Sequence, residues 1–158
     1  MLTTAAAKGA AAGVGGVVVM TVAEKLEQGL THRPNSYIPA QTLLTLLGRR
    51  PAPGAQPRVV VNHLMHYGTG AALGALRGIW SQIGLRGPGW SLAHAVVRLA
   101  TDQTLENATG AGAPPRTWPR KEHVIDVLHK GVYALVTGLL ADQLVAERQR
   151  PLPGRTSH

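Results

Sequence analysis

Residues 59–83 read VVVNHLMHYGTGAALGALRGIWSQI. Gly70, Gly74 and Gly78 recur every four residues, and four residues turn an α-helix by about 400°, so the three share one slowly slanting face. In water each interior glycine costs a helix about 1 kcal/mol relative to alanine. In lipid, small residues are enriched where helices meet, because they let two backbones approach closely. The spacing therefore predicts a helix made to touch another helix at short range. Gly9, Gly13 and Gly16 offer a matching face near the start of the chain, in AAAKGAAAGVGGVVVMTVAEKLEQGL.

Outward from this segment the chain divides at glycine and proline. Long helices are expected at about 5–30, 59–83, 89–109 and 121–147, each at or above the roughly 20 residues that cross a bilayer. QTLLTLLG predicts a short helix at about 41–47, too short to span and suited to a membrane surface. THRPNSYIPA and GRRPAPGAQPR read as loops. Residues 148–158, basic and proline-bearing, read as a flexible tail after a single domain, 1–147. The expected fold is all-α: an up-and-down bundle of four long transmembrane helices plus one short interfacial helix. The other reading of the same pattern is a soluble, basic helical bundle.

Charge supports the membrane. The 158 residues carry 16 Lys and Arg against 8 Asp and Glu, and charged residues are only 15% of the chain, against about 25% in soluble domains. All eight acids lie in or beside the helical segments, whereas the loops carry Arg33, Arg49, Arg50, Arg58, Arg86, Arg116 and Arg120. Lys and Arg favour the anionic lipid surface. Membrane lipid is thus the expected partner, with a homo-oligomer through the glycine faces as a second. Nucleic acid is disfavoured, because the arginines are dispersed and barely interleaved with aromatics. Trp80, Trp90 and Trp118 fall near helix ends, where Trp commonly anchors at the membrane boundary.

The polar chemistry gathers at one end. His94, Arg98, Asp102 and Glu106 are spaced by four and lie along one face of the third long helix. Folding neighbouring helices against each other brings Glu24, His63, His66, His123, Asp126 and His129 to the end of the bundle that holds Asp102 and Glu106. Such side chains in a membrane should face protein or a water-filled cavity. The first reading is a polar plug in which Arg98, Lys130 and imidazolium neutralise the acids. A proton or substrate relay, in a transporter or channel component, uses the same groups. A third reading is a divalent transition-metal site, in a metal-binding membrane enzyme, from His63, His66, Glu106, Asp126 and His129, with Asp126 and His129 as a carboxylate-x-x-His pair. No resident cofactor is expected. The absence of Cys excludes thiol catalysis and Cys-ligated metals. No nucleophile elbow, phosphate-binding loop, dinucleotide fingerprint or HExxH occurs, so no catalytic residue is assigned.

EKLEQGLTHRPNSYIPAQTLLTLLG followed by NHLMHYGTGAALGALRG resembles small multi-helix bacterial membrane proteins, the YagU-like, DUF1440-type inner-membrane family. The resemblance is one of layout over most of the chain. It implies a multi-pass inner-membrane protein of unassigned activity, and it transfers no functional residue. The expected function is accordingly a structural or interaction protein of the membrane. Eight basic residues on the Glu24 side against six on the other lean towards that side being cytoplasmic.

Overall fold

The computed structural model describes residues 1–49 and 59–146, and every element in it is helical: α1 (Leu2–Thr31), α2 (Ile38–Leu46), α3 (Val59–Gln82), α4 (Pro88–Thr109) and α5 (Arg120–Ala146), with a 3-10 turn at Pro115–Thr117. The 148–158 tail and most of the proline-rich loop, with Arg50 and Arg58, lie outside the described residues. The expectation of four long helices with one short interfacial helix is corrected: the structure is a bundle of five α-helices plus a 3-10 turn. The reason lies in α2. Pro39, in its first turn, begins it three residues earlier than the apolar run suggested. Ala40 and Thr42 are buried against its neighbours α3 and α4, and the Ala40 N–H, one of the helix's unsatisfied donors, is taken up by Asn62 Oδ1 at 3.1 Å. The short helix is a packed member of the bundle, not an appendage on a surface. The turn at Pro115–Thr117 lies between α4 and α5, and Trp118 closes it by donating Nε1–H to the Ala113 carbonyl at 2.8 Å.

The most extensive interface is α1 on α3, running antiparallel. A Cβ placed on Gly74 would come 2.6 Å from the Cα of Gly13, and one on Gly78 would come 2.7 Å from the Cα of Gly9. The two backbones therefore touch, and both glycine faces are covered within this one chain. Gly16 has a different partner: its Cβ would meet the Tyr133 carbonyl of α5 at 2.9 Å. Helix α5 packs on α1, α4 and α3. The gap between α3 and α4 is filled by large side chains, with Trp80 edge-on to both Trp90 and His94, each at 6.0 Å between ring centroids.

Several polar side chains lie inside the bundle beside an apolar core of Val17, Met20, Tyr133 and Ala134, and many large apolar side chains lie outside. Arg77, His94, Ser81 and Thr137 are completely buried, and Arg98 and Lys130 nearly so. Val18, Val22 and Leu26 of α1, Leu64 of α3, Leu92 and Val96 of α4, and Leu128 and Leu139 of α5 are exposed. Among the described residues two helices, α1 and α5, are long and apolar enough to cross a membrane: their most apolar 18-residue windows have mean hydropathy 1.5, and only 39% of each is buried. Helices α3 and α4, at 24 and 22 residues, have the length but no 18-residue stretch as apolar.

Candidate functional site: a polar cavity at one end of the bundle

The site begins with spacing. On α4, Ser91, His94, Arg98, Asp102 and Glu106 follow one another at intervals of three and four, and the first three are buried. On α5, Asp126, Lys130, Tyr133 and Thr137 do the same. These two polar faces meet because the opposite faces carry the apolar residues that face outward. Where they meet, Arg98 Nε donates to Asp102 Oδ2 at 2.9 Å, Lys130 Nζ lies 3.6 Å from the same Asp102 oxygen, and Lys130 also binds Asp126 Oδ1. The result is a row of alternating charge, Arg98–Asp102–Lys130–Asp126. Beneath it the Arg98 guanidinium stands 4.9 Å from the Tyr133 ring centre, and the Tyr133 hydroxyl donates to the Gly70 carbonyl at 2.7 Å.

This row forms the floor of a cavity of about 380 Å³. Helices α1, α2, α3, α4 and α5 all contribute to its wall. Towards the outside, Gln28 donates to Glu24 at 3.0 Å, Lys25 to Asn35 Oδ1 at 2.6 Å, and Arg33 grips Glu27 through Nε and Nη2 at 3.0 and 2.9 Å. The Lys25 and Arg33 contacts tie the end of α1 to the loop that leads into α2.

Of the residues singled out in the sequence, Glu24, His63, His66, Arg98, Asp102, Glu106, Asp126 and His129 line this cavity. His94 does not: it is buried further along α4, where Nε2–H donates to the Leu73 carbonyl at 3.1 Å and the ring lies between Trp80 and Tyr133. His123 does not either, packing its ring on Trp118 at 5.4 Å. Gly13, Gly70, Gly74 and Gly78 form the α1–α3 contact, and Gly16 the contact with α5. Among the described residues, no group of three or more His, Asp or Glu side chains gathers as a metal ion would require. The residues put forward as metal ligands share a cavity without converging on a point.

Two features went unread in the sequence. Tyr133 continues the α5 stripe three residues after Lys130, and following that stripe beyond Lys130 would have found it. The second is a buried network at the opposite end of the bundle from the cavity. Arg77, wholly buried, donates to Asp142 Oδ2 at 2.9 Å and to Ser81 Oγ at 2.6 Å, and Ser81 in turn donates to Asp142 Oδ1. The Gly87 N–H, at the start of α4, reaches Asp142 Oδ2 at 2.9 Å. Asp142 therefore joins α3, α4 and α5. Arg77 and Ser81 stand at i and i+4 in the sequence, but their acceptor is 61 residues beyond Ser81.

The site offers charge-assisted hydrogen bonding of both signs and general acid–base groups, in a chamber large enough for a small molecule. In comparisons with protein families, characterised proteins and solved structures, nothing matches this chain.

Proposed function

We propose that the chain is a multi-pass integral protein of the bacterial inner membrane, and that its polar cavity receives a small polar solute as the binding element of a transporter or channel component. The distribution of polar and apolar side chains carries this reading. A soluble bundle that leaves valines and leucines on its outside while burying two arginines and a lysine sacrifices hydrophobic burial and adds desolvation cost. In lipid the same distribution is favourable: acyl chains cover the apolar faces, and charged groups turn inward to partners or water. The two apolar helices, only 39% buried in their windows, fit lipid contact better than the core of a soluble domain. A second reading, a structural membrane protein with a polar plug, is supported by the ion-pair row on the cavity floor.

The chain contains no Cys, so single cysteines report cleanly. Val18→Cys and Leu139→Cys, both at exposed positions, are introduced separately and the protein is placed in vesicles. Both should resist a membrane-impermeant maleimide until detergent is added, and carbonate should leave the protein in the membrane pellet. Free labelling together with carbonate release would establish the soluble bundle instead.

A further inference from the structure

The charged row on the cavity floor is complete in its middle and open at both ends. Asp102 and Lys130 are each held from two sides. Among the described residues, Arg98 Nη1 at one end and Asp126 Oδ2 at the other are buried without a hydrogen-bond partner. Both residues line the cavity, and the Arg98 side chain is 2% exposed. Thr42, 1% exposed, and Thr21 and His66 add three more buried polar atoms without partners on the same wall. Leaving such a group unsatisfied is costly, more so when it is charged.

The two open ends ask for opposite things. Arg98 Nη1 requires an acceptor and is best served by an anion; Asp126 Oδ2 requires a donor and is best served by a cation. A single ligand that carries both signs serves both ends of the row at once, whereas a ligand of one sign leaves one of them unpartnered. We propose that this cavity binds a small amino acid, with its carboxylate on Arg98 and its ammonium on Asp126. The proposal rests on the reading of the cavity as a solute site and names the class of solute.

Glu106 sets the direction. It lies four residues beyond Asp102, lines the same cavity and forms no ion pair among the described residues. An ammonium has three N–H donors, so a second carboxylate on the same cavity, Glu106, is available to it besides Asp126, while the carboxylate is directed to the guanidinium. Thr42 supplies a hydroxyl from α2, the helix that closes this side of the chamber. The volume suits the class: about 380 Å³ is at the low end for small-molecule sites.

The test compares ligands of one carbon skeleton. Full-length protein in detergent micelles is titrated calorimetrically with glycine, β-alanine, 4-aminobutyrate and 5-aminovalerate, and with the alkylamine and alkanoate matched to each. At least one amino acid should bind, and at least about tenfold more tightly than both of its matched single-charge compounds, a gap of roughly 1.4 kcal/mol. Asp126→Asn should weaken that amino acid by a similar factor and leave the weak alkanoate binding unchanged, which a merely structural role for Asp126 would not do. If none of the amino acids binds, or if an amine or an alkanoate binds as well as its amino acid, the proposal is wrong. Should Asp126→Asn fail to fold, the ligand series on the unaltered protein decides alone. Binding in micelles does not depend on membrane insertion, so a negative result here is distinct from failure of the vesicle labelling.

Discussion

Asp142 shows how much a single side chain can organise when it is surrounded by donors. It accepts from Arg77 and Ser81 of α3 and from the backbone of Gly87, and so holds three helices at one end of the bundle. Its partner Arg77 is wholly inaccessible, so removing the carboxylate strands a guanidinium where water cannot reach it. Breaking a buried pair from one side costs about 3–5 kcal/mol, because the remaining charge loses its compensation. Asp142→Ala should therefore lower thermal stability strongly, and Asp142→Asn, which keeps an acceptor oxygen, should lower it less. A double variant, Asp142→Ala with Arg77→Met, should recover part of the loss. Melting curves of the three variants in the same detergent check this. Equal melting of Asp142→Ala and the unaltered protein would mean that the network carries no stability.

Among the helices, the α1–α3 contact is the one where backbone meets backbone. Gly74 has no room for a side chain: a Cβ there would come 2.5 Å from the Gly9 carbonyl oxygen and 2.8 Å from the Gly13 nitrogen. These atoms belong to helix backbones and cannot rotate away, so Gly74→Ala should separate the two helices and cost about 1–3 kcal/mol. Gly68, on the same helix and exposed, has nothing within 4 Å of a Cβ. Gly68→Ala should be neutral or stabilising, by up to about 1 kcal/mol where water sets the propensity. The pair separates helix propensity from helix contact on a single element. A melting temperature reduced equally by both substitutions would contradict the packing account. Because the same faces serve α1 and α3 of one chain, loss of the monomer fold, and not loss of an oligomer, is the expected defect of Gly74→Ala.

At the scale of the molecule, the outside is the informative surface. Leu139 is 63% exposed on α5, the helix that also carries Lys130 and Asp126 on its inner face. In a soluble bundle, Leu139→Asp would place a charge in water and be tolerated. In a membrane the same change costs about 2.5–3.5 kcal/mol near the middle of a span. Leu139→Asp should thus reduce the fraction of protein recovered in carbonate-washed membranes, while Thr117→Asp, at the 3-10 turn outside the long helices, should not. Equal recovery of the two variants would remove the lipid-facing reading of α5.

What the sequence by itself determined is whatever depends on periodicity and on length. Glycines four apart announced the close helix contact, His94 to Glu106 announced the polar stripe, and the glycine and proline breaks located the long helices to within a few residues. These signals are local, because helix geometry repeats every 3.6 residues whatever the surroundings. Only the tertiary structure decided how the stripes are used. It put Glu24, His63, His66 and Asp126 on one cavity but left His94 among Trp80, Tyr133 and the Leu73 carbonyl, because His94 lies two turns below Asp102 on the same face and the cavity ends above it. It also paired Arg77 with Asp142, 65 residues away, and made α2 a packed fifth helix through Ala40 and Asn62. Such pairings depend on which helices are neighbours and at what height they cross. That is set by the mutual fit of glycine backbones and large side chains across the bundle, and no single segment contains it.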